Sequence, residues 1–248
     1  MAENERTSIA PHQAGKYPAI ILAGGLGTRL RPVINDLPKP MAPVNGKPFL
    51  HYIFQYLERQ AITEAIVSIG YKGETIQEYF GSKYLHIKIK YAIETEPLGT
   101  GGGIKKAFEY ADGYAYVLNG DTLFNVDLEE LRKLYFNARC DIALALKQLK
   151  NFDRYGTVEL DSENRITGFA EKKFVNEGLI NGGIYFFSPR LFDKIEISDK
   201  FSLEKEVLEK QANFLKFYGK VFDDYFIDIG IPEDYEKAQY DFKWVADR

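Results

Sequence analysis

Short apolar runs alternate with helix-length amphipathic segments through the first half of this chain. Residues 19–22, 65–69, 87–92 and 115–118 are predicted as buried strands, and residues 49–60, 74–79 and 101–110 as the helices between them. A strand that is apolar along its whole length has no face to give to water, so both faces of its sheet must be covered. Repeated strand–helix–strand units then predict a parallel sheet in an α/β fold. Ligands of open parallel sheets bind beyond the carboxyl ends of the strands. The residues that follow each run are therefore the ones to read for chemistry.

Beyond a further helix at 127–137 and a strand at 141–146, the pattern changes. Residues 156–160, 166–170 and 183–188 are short strand-like runs, which predict an antiparallel meander added to the parallel core. Helices are predicted at 191–195 and 202–211, a strand at 214–221, and a closing helix at 232–244 with Pro232 in its first turn. No internal repeat or long Pro/Gly/Ser linker interrupts the pattern, so residues 17–248 are expected to form one domain. Residues 1–16 are polar, lack the apolar centre of a secretory signal, and are expected to be a flexible extension.

The first strand runs into Leu22-Ala23-Gly24-Gly25-Leu26-Gly27-Thr28-Arg29-Leu30-Arg31-Pro32. Glycines let the backbone approach an anion closely, and successive N–H groups can then point at phosphate oxygens. Arg29 adds a planar, permanently charged fork. A few residues on, Pro38-Lys39-Pro40 holds a lysine between two prolines. The loop is neither of the two commonest phosphate loops. A dinucleotide fingerprint needs a third glycine where Leu30 stands, and a P-loop needs Gly-Lys followed by Ser or Thr.

Two strand ends carry aspartate. Tyr116-Val117-Leu118-Asn119-Gly120-Asp121 stops on a Gly-Asp pair, and Phe226-Ile227-Asp228-Ile229-Gly230 stops beside another carboxylate. Asp228 is not the cap of the last helix, because with Pro232 at the first helical position the cap is residue 231. Mg²⁺ takes one or two protein carboxylates and leaves its other positions to water and substrate phosphate, so Asp121 and Asp228 are a candidate pair of ligands. A third cluster, Ile93-Glu94-Thr95-Glu96-Pro97-Leu98-Gly99-Thr100-Gly101-Gly102-Gly103, reads as a strand, a glycine-rich turn and a helix start. Its glycines would let a base or a sugar lie against backbone. Glu96 is the candidate acceptor for adjacent N–H donors, which guanine presents. Glycines and solvated acids at an ordinary helix start are the alternative.

Taken in order, the strand, G-G-x-G-T-R-L-x-P and P-K-P resemble the signature of the sugar-1-phosphate nucleotidyltransferases, and the likeness extends from Tyr17 to about Trp244. The resemblance implies a Rossmann-like α/β/α sandwich with a mostly parallel central sheet and an added antiparallel sugar-binding region. It implies a nucleoside triphosphate and a sugar 1-phosphate as substrates, and Mg²⁺ on Asp121 and Asp228. Leu22, Ala23, Gly24, Gly25, Gly27, Thr28, Arg29, Lys39, Glu96, Gly99, Thr100 and Gly101 would bind the nucleotide. Gly120, Glu171, Lys172, Asn181 and Gly182 would bind the sugar and its phosphate, although Lys173 stands where the family usually has proline. Arg29, Lys39, Asp121, Lys172 and Asp228 would carry catalysis. Glu96-Pro97-Leu98-Gly99-Thr100 resembles the guanylyl branch, which implies GTP, with manno-heptose 1-phosphate ahead of mannose 1-phosphate and then hexose substrates of uridylyl- or thymidylyltransferases. Ser202-Leu203-Glu204 resembles a Ser-x-Glu element of the same branch, and reads equally as an N-cap serine opening a helix.

Composition, 45% hydrophobic and 27% charged, predicts a soluble globular protein with a substantial core. With 32 Lys plus Arg against 36 Asp plus Glu, the net charge of −4 gives no support to nucleic-acid or anionic-membrane binding. No apolar run approaches the roughly 20 residues of a membrane helix, and a cytoplasmic location is the default expectation. The single cysteine, Cys140, excludes an intrachain disulfide, and His12, His51 and His86 have no metal-ligand or triad spacing. Homo-oligomerisation is left open.

Overall fold

The computed structural model of the chain describes residues 16–25, 30, 34 and 37–243. The expected loop residues Gly27, Thr28 and Arg29, most of the 1–16 extension and Trp244 lie outside the described residues. Strands in the first half are β1 (Ala19–Leu22), β2 (Pro43–Val44), β3 (Lys47–Pro48), β4 (Glu64–Ile69), β5 (Lys83–Tyr84), β6 (Ile87–Ile93), β7 (Ala115–Asn119) and β8 (Thr122–Phe124). The second half adds β9 (Ile142–Phe152), β10 (Thr157–Leu160), β11 (Ile166–Ala170), β12 (Val175–Phe187), β13 (Phe217–Phe222) and β14 (Phe226–Asp228). Helices are α1 (Phe49–Arg59), α2 (Gly73–Phe80), α3 (Gly99–Ala107), α4 (Leu128–Ala138) and α5 (Pro232–Asp241).

The main sheet runs β11-β10-β12-β7-β1-β4-β6-β5, with β9 pairing β12 and β13. The β7-β1-β4-β6 core is parallel, as the apolar alternation predicts, and β12 joins β7 antiparallel. Both faces of the core strands are dry. Ile20, Ile66 and Val117 are fully buried in one cluster, while Ile21 and Val67 are fully buried in the other. β1 is followed in space by β4 on one side and β7 on the other. That is the switch point at which a crevice opens beyond the strand ends.

The helices follow their sequence patterns. In α1, Phe49, Leu50, Ile53, Phe54 and Leu57 recur at helical spacing and all are buried. The Asp127 side chain caps α4 by accepting from the Glu129 N–H at 2.8 Å. No described helix is long and apolar enough to cross a membrane.

Five elements depart from expectation. The strand predicted at 183–188 begins at Val175, and the strand predicted at 141–146 runs on to Phe152, because the two extend past the core as a paired ribbon. Exposed, polar positions in that ribbon carry no core pattern to read. Residues 189–194 form a 3₁₀ turn, residues 203–209 are π-helical, and the closing helix ends at Asp241.

Candidate active site

Two cavities open beyond the carboxyl ends of the parallel strands. The larger, about 690 Å³, is lined by Leu22 at the end of β1 and Ala23, Gly24 and Gly25 after it, by Lys39, by Glu94 and Glu96 after β6, by Gly99 and Thr100 at the start of α3, and by Asp121. That volume suits a small-molecule ligand. The smaller, about 350 Å³, is lined by Lys172, Asn181, Gly182, Arg154, Tyr155, Tyr185 and Asp228. Asn119 and Glu204 line both, so the two cavities share a wall.

Backbone pairing builds their junction. Gly120 N–H donates to the Leu22 carbonyl at 2.8 Å, which ties the end of β7 to the start of the glycine loop. The chain reverses into β8, and β14 pairs with it antiparallel, bringing Asp228 opposite Thr122, one residue from Asp121. Ile229 N–H then donates to the Asp121 carbonyl at 3.0 Å. Lys39, in a 3₁₀ turn whose Pro40 and Met41 are buried, places Nζ 2.8 Å from Asp121 Oδ2. The lysine side chain is only 14% exposed, so its charge is held at the junction and not spread into solvent.

Asp228 Oδ1 accepts from the Gly230 N–H at 2.7 Å, and its Oδ2 accepts from the Tyr155 hydroxyl at 3.3 Å. Arg154 in turn donates to Tyr155 at 2.8 Å and pairs with Asp234 on α5. Burial first, and the Asp121 carboxylate second, hold Asp228 above its usual carboxylate range, against the opposing pull of Lys39 and the Gly230 amide. Two carboxylates pressed together in a half-buried place form a site of excess negative charge. A divalent cation relieves that charge directly.

Some predicted residues stand elsewhere. Gly101 is buried and Phe201 lies over it, while Gly120 is buried against β1. Glu171 is exposed, and of the Glu171-Lys172 pair only Lys172 lines the cavity. Asn181 lines the smaller cavity with its amide already engaged, donating to the Tyr185 hydroxyl at 2.8 Å and accepting from the Gly183 N–H at 3.0 Å. Glu96 is exposed at the rim.

Sequence reading missed Glu94. Its carboxylate accepts from Ser68 Oγ at 2.9 Å and from the Leu98 N–H at 3.1 Å. A Cβ on Gly24 would meet Glu94 Oε1 at 2.7 Å and one on Gly103 would meet it at 2.8 Å, so these glycines make room for a carboxylate inside the larger cavity. No sequence signal singled it out, since Glu94 shares its strand parity with the exposed Lys88 and Lys90; in the structure its N–H donates to Ile69 at 2.7 Å and so continues the β6 ladder. Arg154 and Tyr155 carried no sequence signal.

The profile of the nucleotidyl transferase family matches residues 18–243. The D-glycero-α-D-manno-heptose 1-phosphate guanylyltransferase of Aneurinibacillus thermoaerophilus is 53% identical over 222 residues, covering 89% of this chain and 96% of that protein. Its namesake in Campylobacter jejuni is 54% identical over 217 residues, covering 88% of this chain and 96% of that protein. The crystal structure of HddC from Yersinia pseudotuberculosis complexed with GMP-PN superposes with a TM-score of 0.82 at 38% identity, covering 91% of this chain and 99% of that one.

Proposed function

Because this chain belongs to the nucleotidyl transferase family, we propose that it transfers GMP from GTP to D-glycero-α-D-manno-heptose 1-phosphate and releases pyrophosphate. The observation that carries the reading is the junction itself, where a nucleotide-sized and a sugar-sized cavity meet at two carboxylates and a lysine. A phosphate oxygen of the sugar 1-phosphate attacks the α-phosphorus. One P–O bond forms as the bond to pyrophosphate breaks, so no protein nucleophile is needed. Two polyanions must approach each other, and the protein's work is positioning and charge neutralisation.

Lys39 would hold the triphosphate from the Asp121 side, and Lys172 the sugar phosphate from the other cavity. Arg29 is assigned from its motif alone, to the departing pyrophosphate. Asp121 and Asp228 fit a hard divalent cation: their donors are oxygens, and Lys39 alone offsets only part of the charge that the two carboxylates bring to the junction. Among the described residues no cluster of three or more His, Cys, Asp or Glu side chains could hold a metal, so substrate oxygens would complete the coordination. Mg²⁺ bound there would supply charge neutralisation at the α-phosphate. Tyr155, donating to Asp228, fixes which way that carboxylate faces.

Glu94 is the better-placed base reader. Each oxygen already accepts one hydrogen bond, and an ionised carboxylate has about four acceptor sites, so both can still take the adjacent N–H donors of guanine. GTP should exceed UTP, dTTP, CTP and ATP by at least about tenfold in kcat/KM, because other bases lack the two adjacent N–H donors that would fill the acceptor sites Glu94 has left. Glu94→Gln should narrow that margin, while Glu96→Gln at the exposed rim should not. A parent enzyme that prefers UTP or dTTP would overturn the guanylyl reading. The sugar assignment is tested by pyrophosphate release with heptose, mannose and glucose 1-phosphates side by side.

Lys172→Ala should raise KM for the sugar phosphate about tenfold or more, as expected when a charged hydrogen bond is lost. GTP affinity, measured by calorimetry, should stay within about twofold, since the larger cavity does not include this residue.

A further inference from the structure

Glu204 stands in the wall shared by the two cavities, and nothing in phosphate binding explains it. An ionised carboxylate only accepts hydrogen bonds and repels phosphate. The other acids of the cleft stand apart: Asp121 and Asp228 answer to the cation, Glu94 to Ser68, Leu98 and the base, and Glu96 is exposed at the rim. Glu204 is half-buried at the opening of the π-helical segment 203–209, a geometry that recurs at functional sites.

Its Oε2 is held from two sides. Thr100 Oγ1 donates to it at 2.6 Å and Ser202 Oγ at 2.7 Å, while the Leu203 N–H donates to Thr100 Oγ1 at 2.9 Å. Thr100 belongs to the nucleotide cavity, so one carboxylate oxygen is clamped by the nucleotide side of the cleft. Among the described residues both bonds fall on Oε2, which leaves Oε1 with unused acceptor sites. The donors that either substrate can offer there, apart from the base, are neutral hydroxyls. Tyr185 lines the same small cavity, and burial followed by the Glu204 charge keeps its phenol protonated.

We propose that Glu204 Oε1 accepts a hydrogen bond from a ring hydroxyl of the sugar 1-phosphate, with Thr100 and Ser202 clamping Oε2 so that Oε1 is aimed into the sugar cavity. This rests on the guanylyltransferase reading above. It makes Glu204 a specificity residue whose aim depends on a nucleotide-side hydroxyl.

The test is a substrate–enzyme cycle. Parent and Glu204→Gln are assayed with GTP and D-glycero-α-D-manno-heptose 1-phosphate, and with its 2-, 3- and 4-deoxy forms. In the variant the amide oxygen keeps the Thr100 and Ser202 bonds and an NH₂ faces the sugar, a donor where an acceptor stood. KM for the full sugar should rise at least about tenfold, with the GTP Kd and the melting temperature unchanged. One deoxy sugar should be penalised by the parent and not by the variant. Equal penalties in both enzymes, or a GTP Kd that weakens in step with the sugar KM, would reduce Glu204 to a structural clamp and overturn the proposal. So would a cycle that closes on 2′- or 3′-deoxyGTP, which would assign the hydroxyl to the ribose. A parent inactive with GTP and every sugar phosphate would remove the guanylyltransferase reading and this proposal together.

Discussion

Replacing Asp121 or Asp228 by asparagine should reduce turnover at least about 10²-fold, the scale of other losses of transition-state charge stabilisation. An amide is a poor ligand for a hard cation, and either change removes half of the protein's donor pair. The two variants should part company in stability. Asp228 is held above its usual range by burial and by Asp121, so in the folded, metal-free protein its ionised form is disfavoured. The sign follows from linkage. With a folded pKa above the unfolded one, ionisation costs stability at every pH above the folded value, and that cost fades as pH falls through it toward the unfolded value. Asp228→Asn should therefore melt no lower, and at neutral pH higher, than the metal-free parent. Mg²⁺ should raise the melting temperature of the parent and not that of the variant. Near-parental turnover in either asparagine variant at saturating Mg²⁺ would take that residue out of the metal site.

Gly99→Ala should be the most damaging single methyl in the nucleotide cavity. Gly99 sits at φ +76°, and a Cβ there would lie 2.4 Å from the Phe201 carbonyl oxygen. Left-handed backbone costs a non-glycine residue roughly 1–2 kcal/mol, and the contact forces a shift as well. At about 2–4 °C per kcal/mol for a chain of this size, the backbone term alone lowers the melting temperature by roughly 2–8 °C. The loop it distorts also carries Thr100, so kcat/KM for GTP should fall more than tenfold, about the effect of a 1 Å misplacement or less. Gly101→Ala is the instructive control. Its Cβ would lie 2.0 Å from the Phe201 ring, so a Phe201→Ala partner substitution should restore part of the loss. No such rescue should occur for Gly99→Ala, whose obstacle is backbone. Equal rescue of both would mean that the 199–201 segment does not lie against α3 as described.

The parallel core, the opening of the glycine loop at residues 22–25, Lys39 and both strand-end aspartates were legible in the sequence for local reasons. Fully buried strands such as β1 and β4 must be apolar throughout, and a carboxylate at a strand end is visible in the chain order alone. That Asp121 and Asp228 are neighbours was expected from the family resemblance and from no local signal, because their approach depends on β8 pairing with a strand from the far end of the chain. The same holds for the 101–103 glycines. They read as an opening for a ligand, yet Phe201 and Asp199 occupy the space above Gly101 and Gly102. Glu94 and Glu96 are alike in sequence and would share a face of a continued strand; the chain keeps Glu94 on the β6 ladder through its bond to Ile69 and leaves Glu96 in the exposed turn at the rim. Local sequence determined which residue types carry the chemistry. Only tertiary packing decided which of them face one another, because that depends on contacts between segments distant in the chain.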